Sequence, residues 1–141
     1  MEHSECVFCQ IVNSKINAEI IYERDNIIVF LDNDPINEGH ILIIPKDHLL
    51  DLDDLPICLA EEIMNLATLL VKVLKNIYIP DGYSIMQNGG KFNDIGHFHL
   101  HVFPRYIEDQ FGWTCSDSVF PTDESVGKII KSELNSIMKK Y

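Results

Sequence analysis

Three histidines alternate with apolar residues late in the chain, at His97, His99 and His101. Successive side chains of a β-strand point to opposite faces, so a strand here would place all three imidazoles on one face. Phe98 and Leu100 would then point to the other face, toward a core. A neutral imidazole can donate, accept and act as a nucleophile near pH 7. The spacing therefore predicts a chemical site rather than a purely structural strand.

Two chemistries suit this row of imidazoles, and the row alone leaves both open. The alternating histidines could together bind a catalytic zinc ion, as in zinc hydrolases. Alternatively, the middle residue, His99, attacks phosphorus while its neighbours hold the phosphate and orient the ring.

The four cysteines do not form an obvious disulfide framework. Cys6 and Cys9 make a C-x2-C pair, whereas Cys58 and Cys115 are isolated and are expected to be passive thiols. A tetrahedral zinc site built on the pair needs two further ligands. The alternative is that both thiols are small buried apolar residues on a helix.

Composition bounds the class of protein. The chain has 141 residues, 46% of them hydrophobic, which fits one soluble domain, residues 1–141. A net charge of −11 disfavours nucleic-acid binding. No stretch reaches the roughly 18 apolar residues that a membrane span requires. The first five residues are acidic and precede no apolar run, so we expect no signal peptide and a cytoplasmic location.

The elements that must position the histidines can be predicted from periodicity and turn residues. A short helix is expected near residues 6–13, and residues 18–22 and 27–32 indicate a hairpin. Further strands are predicted at residues 40–45, 83–87 and 97–104.

Two amphipathic helices complete the prediction. Apolar residues recur every three or four positions between Leu59 and Ile77, with Asp54 as the expected N-cap. A C-terminal helix over about 122–140 is expected to be capped by Thr122 or Asp123. Strands joined by short turns imply an antiparallel five-stranded sheet with helices packed on it, an α+β domain.

Taken together, the chain resembles the histidine triad family of nucleotide hydrolases and transferases. The resemblance covers residues 6 to about 106 in matching order. It is carried by Cys6-Val7-Phe8-Cys9, Phe30-Leu31-Asp32, residues 35–48 (PINEGHILIIPKDH) and residues 97–104 (HFHLHVFP).

The resemblance implies a role for each histidine near the phosphate. His99 would attack the α-phosphorus and carry the nucleotidyl group, which water or another acceptor then removes. His101 would contact the phosphate, and His40 would support the polar network beside it. The expected substrate is a purine nucleoside phosphoramidate, with adenosine favoured, or a dinucleoside polyphosphate.

The same resemblance implies the nucleotide-binding residues. Asp32 would accept from the ribose hydroxyls, with Asn33 beside it. Asn88 would hold the phosphate. Around the base it places three apolar residues: Phe8, Ile11 and Ile28.

In the family branch that carries C-x2-C, a structural zinc ion completes the N-terminal region. The resemblance therefore implies the ligand set Cys6, Cys9, His48 and His97. This zinc would remove His97 from phosphate binding.

One segment departs from the family pattern. Where a Gly-Gln-Ser or Gly-Gln-Thr stretch is expected, residues 88–96 are about two residues shorter, and Asp94 stands near the position of the hydroxyl. Asp94 would act as a general acid if its pKa were raised, or would disfavour a highly charged leaving group. Asn93 is expected to take over part of the amide's role.

The last expectations concern the oligomeric state and the competing hypotheses for function. Family members are commonly homodimers, and the alternating Tyr83, Ile85 and Gln87 suit an edge strand that pairs with its twin. Trp113 would line the site, pack on that twin or pack internally. The competing hypotheses are a non-catalytic purine-nucleotide-binding or scaffold module, and a zinc hydrolase that uses the triad as ligands.

Overall fold

The structure, a computed structural model, describes residues 4–141. Its chain order is helix α1 (Val7–Val12), strands β1 (Ile20–Glu23), β2 (Ile27–Leu31) and β3 (Ile41–Pro45), helix α2 (Ile57–Tyr78), strands β4 (Gly82–Met86) and β5 (Leu100–Arg105), and helix α3 (Glu124–Met138). Two compact units result, one ending at Phe111 and one running from Gly112 to Tyr141. The expectation of a single domain over the whole chain stays a prediction.

The first unit contains one antiparallel sheet with the strand order β1-β2-β3-β5-β4. β1 and β2 pair as the predicted hairpin. β3 pairs with β5, opposing Leu42 to His101. The predicted α+β class and five-stranded antiparallel sheet are confirmed.

Both faces of the central strands are buried, and the alternation of side chains sorts them into two layers. Ile27 and Val29 of β2 join the cluster that packs against α2, together with Phe98 and Leu100. On the opposite face, Ile28, Phe30, Leu42 and Ile44 pack with Cys6, Phe8 and Cys9 at α1. The histidine segment therefore has its apolar side toward α2 and its imidazole side toward α1.

Helix α2 buries one stripe, formed by Leu59, Ile63, Ala67, Leu70 and Leu74. The expected N-cap at Asp54 is wrong, because Pro56 occupies that position and the Asp54 carboxylate instead accepts from the backbone N–H of Asp51. The helix ends at Tyr78, where Ile79 adopts a left-handed φ of 45° before Pro80. None of the helices within residues 4–141 combines the length and the apolarity that a bilayer crossing demands.

Strand β5 begins three residues later than predicted. The backbone N–H of Phe98 donates to the carbonyl of Leu49 at 2.7 Å instead of to a neighbouring strand. His97 and His99 therefore lie in the segment that leads into β5, and only His101 lies within the strand.

The second unit contains α3. The Asp123 carboxylate accepts from the backbone N–H of Ser125 at 3.0 Å, which confirms Asp123 as the N-cap.

Candidate functional site

An open cavity of about 680 Å³ lies on the α1 side of the sheet. Two of the three alternating histidines, His99 and His101, reach it, and so does His40 from the segment before β3. The residues that line it are Val7, Phe8, Ile11, Ile16, Asn17, Ala18, Glu19, Phe30, Leu31, Asp32, Asn33, Asp34, Ile36, His40, Leu42, Asp94, Ile95, His99 and His101.

His99 is oriented by the backbone carbonyl of His97, so that its Nε2 faces the cavity. Its Nδ1 lies 2.8 Å from the carbonyl oxygen of His97. A carbonyl only accepts, so in the neutral ring Nδ1 carries the proton and Nε2 holds the lone pair. The ring is buried, with 3% of its surface exposed, and its Nε2 lies 3.7 Å from Oδ1 of Asp94. The geometry suits a nucleophile whose tautomer is fixed by the backbone.

A second chain of hydrogen bonds fixes the tautomer of His101. The backbone N–H of Ile36 donates to Nδ1 of His40 at 3.0 Å, so the proton of the neutral His40 ring is on Nε2. That Nε2 lies 2.8 Å from Nδ1 of His101 and donates to it. His101 must then carry its own proton on Nε2, which makes this nitrogen a hydrogen-bond donor.

Both imidazoles of this pair are neutral at physiological pH. Burial lowers the pKa of His101 to about 4, assisted by the neighbouring His99 and His40 rings. Burial also lowers the pKa of His40, although Asp32 and Asp34 act in the opposite direction. The pair therefore supplies oriented N–H dipoles rather than positive charge.

The segment that delivers His40 is itself tightly held. Gly39 precedes His40 with a φ of +87°, and a Cβ there would come within 2.5 Å of the Tyr78 ring. Asn37 Nδ2 donates to the carbonyl of Pro104 at 2.8 Å and to Asp109 at 3.0 Å. These contacts tie the loop before β3 to the end of β5.

Asp109 joins the loop before β3 to the end of β5, because its carboxylate contacts both Asn37 and Arg105. Its side chain is 3% exposed and pairs with Arg105 through two contacts of 2.6 and 3.0 Å. The Arg105 guanidinium holds the pKa of the Asp109 carboxyl well below its usual range. No sequence pattern predicts this cluster, because its residues belong to segments that only the fold brings together.

Asp32 lies at the polar end of the cavity. Its Oδ2 is 3.5 Å from Nε2 of His40 and 3.9 Å from Nδ1 of His101, and its Oδ1 accepts from the backbone N–H of Asp34 at 2.9 Å. The two imidazole nitrogens nearest to Asp32 already share a hydrogen bond with each other. Asp32 is therefore placed to accept from a hydroxyl that enters the cavity, and Asn33 lines the cavity beside it.

The apolar end of the cavity is built around Phe8. Its ring meets Phe30 edge-on with centroids 5.5 Å apart, and it meets His99 with centroids 5.3 Å apart. Ile11 of α1 lines the same end. This pocket offers a flat apolar wall of the kind that accepts an aromatic base.

Three of the expected nucleotide-binding residues lie outside the lining. Ile28 is buried in the α1-side cluster, two residues before Phe30, which shares its face and does line the cavity. Asn93 uses its side chain within the loop, donating to the carbonyl of Leu50 and accepting from the backbone N–H of Gly96. Asn88 lies in the segment between β4 and β5 and is not among the lining residues. The resemblance named Ile28, whereas Phe30, on the same face of β2, lines the cavity.

A second cluster forms a candidate metal centre. One ligand atom from each of Cys6, Cys9, His48 and His97 lies within 4.8 Å of the other three, and all but His48 are buried. His97 donates through Nε2 to the carbonyl of Pro45 at 2.8 Å, which leaves Nδ1 facing Cys6 Sγ at 3.5 Å and Cys9 Sγ at 3.6 Å. These four residues could hold a metal ion.

The Cys9 thiol of this centre resists ionisation in the absence of a cation. Burial raises the pKa of the Cys9 thiol to about 11, with further contributions from Cys6. A coordinated cation reverses that preference, because the thiolate is the ligand form. Two thiols and two imidazoles are a donor set that suits a closed tetrahedral site. Cys58 and Cys115 are exposed free thiols.

The alternating histidines are thus divided between two structures. His97 belongs with the two cysteines and His48, whereas His101 groups with Asp32 and His40. In the described part of the chain, no potential metal-ligand group contains all three histidines of the row. The geometry therefore does not support a single catalytic metal ion bound by His97, His99 and His101.

The chain is similar in sequence and in fold to proteins of one known family. The HIT domain family matches the chain over residues 13–108. An adenosine 5′-monophosphoramidase from Saccharomyces cerevisiae is 34% identical over 134 residues, which cover 92% of this chain and 80% of that protein. The crystal structure of a histidine triad nucleotide-binding protein from Candida albicans aligns with a TM-score of 0.75 and 30% identity, covering 97% of this chain and 100% of the other. A zinc-bound histidine triad family protein from Mycobacterium smegmatis aligns with a TM-score of 0.70 and 32% identity, covering 98% and 99%.

Proposed function

Because this chain belongs to the HIT domain family, we propose that it is a nucleotide hydrolase or nucleotidyl transferase that acts at the α-phosphate through a covalent intermediate on His99. The observation that carries the proposal is the 2.8 Å contact between Nδ1 of His99 and the carbonyl oxygen of His97. The Nδ1–H of His99 is held by the carbonyl of His97, so Nε2 faces the cavity with a lone pair.

The first step forms the Nε2–P bond and breaks the bond from phosphorus to the leaving group. The imidazole gains positive charge as it attacks, and the carbonyl of His97 accepts the Nδ1–H of that cation. His101 donates through Nε2–H to a phosphoryl oxygen, in the manner of oriented donors that stabilise developing charge. His40 acts through His101 by fixing its tautomer.

The second step regenerates the enzyme. A water molecule, or another acceptor, attacks the phosphorus from the side that the leaving group has vacated and releases a proton to the solvent. The P–Nε2 bond breaks, the nucleoside monophosphate departs, and the lone pair returns to Nε2 of His99.

The two ends of the cavity suit a purine nucleotide. Phe8 and Ile11 supply the apolar wall for the base, and Asp32 supplies an acceptor for the ribose hydroxyls. Adenosine is the first nucleoside to test, since the yeast relative is named an adenosine 5′-monophosphoramidase.

The nucleophile is tested with His99→Ala and adenosine 5′-phosphoramidate. The variant should lose roughly 10⁴-fold or more of kcat/KM while it still binds AMP by calorimetry, because the nucleophile acts only in the chemical step. Wild-type protein quenched during turnover should carry an acid-labile, alkali-stable nucleotidyl adduct that maps to His99. Cys58→Ser, which changes an exposed thiol outside the cavity, is the control. Full activity of the His99→Ala protein would sink the assignment.

The covalent adduct also separates this proposal from its alternatives. Tight AMP binding without any adduct or turnover would favour a binding or scaffold module. Turnover that depends on a metal and shows no adduct would favour a zinc hydrolase.

We further propose that Cys6, Cys9, His48 and His97 hold a structural zinc ion. The buried donor set supports this, and so does the zinc-bound relative from Mycobacterium smegmatis. The zinc would fix the His97 ring, and the carbonyl of the same residue orients His99.

The expected homodimer is also a proposal. β4 is an edge strand, and Tyr83 and Ile85 on it are exposed. Pairing with a second copy would cover that edge. A monomer by light scattering at micromolar concentration would reject it. The cytoplasmic location stays a prediction.

A further inference from the structure

The cavity carries an unbalanced negative charge. Four carboxylates line it, those of Glu19, Asp32, Asp34 and Asp94. Among the described residues that line it there is no lysine or arginine. A substrate that brings several phosphates would therefore meet acidic side chains with no cationic side chain to receive them.

Two of the imidazoles that line the cavity, His40 and His101, do not compensate for these carboxylates. His40 and His101 are held neutral by burial, which lowers the pKa of each. The Nε2–H of His101 offers one neutral donor to a phosphoryl oxygen, as the proposed chemistry requires, while the Nε2–H of His40 is already donated to His101. They do not provide the charge that a polyphosphate chain would need.

Asp94 is the carboxylate nearest to the reacting atom. Its Oδ1 lies 3.7 Å from Nε2 of His99, and its side chain is 82% exposed. The loop beneath it is held at both ends, because Gly90 N–H donates to Asp51 and Asn93 bridges Leu50 and Gly96. The backbone on both sides of Asp94 is therefore held in place, and its carboxylate lies at the mouth of the site.

We propose that Asp94 selects substrates by the charge of their leaving group, favouring nucleoside 5′-phosphoramidates of cationic amines over nucleotides with a polyphosphate leaving group. This inference rests on the proposed function. The P–N bond breaks as the Nε2–P bond forms, and the departing amine takes up a proton from water. The Asp94 carboxylate stabilises a positively charged leaving group and repels a negatively charged one.

The experiment compares three probes that share the adenosine α-phosphate. They are the adenosine 5′-phosphoramidates of butylamine and of 1,4-diaminobutane, and diadenosine tetraphosphate. The two amides differ only in a terminal ammonium group. Values of kcat/KM are measured for the wild type, for Asp94→Asn, and for Asp53→Asn, which removes the same charge from an exposed position outside the cavity lining.

The expected effects are modest because Asp94 is exposed to solvent. The interaction energy of two solvent-exposed charges corresponds to about a threefold change in kcat/KM for each charge. Asp94→Asn should lower kcat/KM for the cationic amide about threefold relative to the neutral amide, and raise it at least threefold for the tetraphosphate. The ratio of the cationic amide to the tetraphosphate should shift roughly tenfold in Asp94→Asn and stay constant in Asp53→Asn. High salt should shrink the wild-type preference.

Each other outcome overturns the inference in a distinguishable way. An unchanged ratio in an active Asp94→Asn protein refutes charge selection and leaves the proposed function intact. An equal shift in Asp53→Asn assigns the effect to net charge instead of to Asp94. Loss of turnover on every probe in Asp94→Asn would make Asp94 an essential catalytic group and not a selector. A wild type that cleaves none of the probes refutes the proposed function itself.

Discussion

His40 joins two hydrogen bonds, one from Ile36 and one to His101, and a substitution at His40 can remove either bond while it keeps the other. His40 accepts at Nδ1 and donates at Nε2. A glutamine places an amide N–H near the position of Nε2, whereas an asparagine places a carbonyl oxygen near the position of Nδ1. His40→Gln therefore keeps the donor to His101, and His40→Asn keeps only the acceptor for Ile36.

The magnitude follows from the burial of the two rings. His40 is 2% exposed, and its bond to His101 is 2.8 Å long, so His101 Nδ1 has no ready access to water. An unsatisfied buried acceptor costs about 1–3 kcal/mol. If that cost falls on the transition state, it corresponds to roughly 5- to 150-fold in kcat/KM. His40→Asn should lose activity in that range relative to His40→Gln.

Two measurements test the reasoning. Long-range ¹H–¹⁵N spectra should show His101 with its proton on Nε2 in the wild type and in His40→Gln, and a mixture of tautomers in His40→Asn. Turnover of adenosine 5′-phosphoramidate should follow the same order. Urea unfolding of both variants controls for the loss of ring packing that they share. Equal turnover together with an intact Nε2–H tautomer in His40→Asn would refute the proposed role of His40.

Two further predictions concern the metal centre and the pH dependence of stability. The wild type should contain one zinc per chain by elemental analysis. Cys9→Ser should lose the zinc and melt at a lower temperature, whereas Cys58→Ser should keep the zinc and the wild-type melting temperature. A wild type that is purified without metal and whose melting temperature does not change when zinc is added would contradict this. His101 has a folded pKa of about 4, below the value of roughly 6.5 in an unfolded chain, so the unfolded state binds its proton first as the pH falls. The free energy of unfolding should therefore decrease by up to roughly 3 kcal/mol between about pH 6.5 and 4, measured by urea denaturation, and a His101→Asn protein with the same slope would argue against it.

The main elements could be predicted from local patterns, because those patterns depend on neighbours in sequence. The three- and four-residue spacing between Leu59 and Ile77 predicted α2, and the run of β-branched and aromatic residues at 27–32 predicted a strand. Boundaries that depend on distant partners were wrong. The strand at the histidines begins at Leu100 because Phe98 bonds to Leu49, far away in sequence.

The candidate site was predictable to a similar extent. The resemblance to a known family indicated which histidines and cysteines to examine, but it named Ile28 and not Phe30 as a wall of the cavity. These residues share a face of β2, and only the position of α1 above the sheet decides which of them reaches the cavity. The Asn37–Asp109–Arg105 cluster joins parts of the chain that carry no common pattern.

For the histidine row itself, the sequence determined that three imidazoles would lie opposite an apolar face, because side-chain direction follows from backbone geometry. Tertiary structure decided what each ring does. The carbonyl of His97 fixes His99 as an acceptor at Nε2, while Ile36 and His40 fix His101 as a donor at the same atom. His97 lies in a separate cluster, where its Nδ1 contacts the Sγ atoms of Cys6 and Cys9. A tautomer depends on which group lies within 3 Å of a ring nitrogen, and only the folded chain brings those groups together.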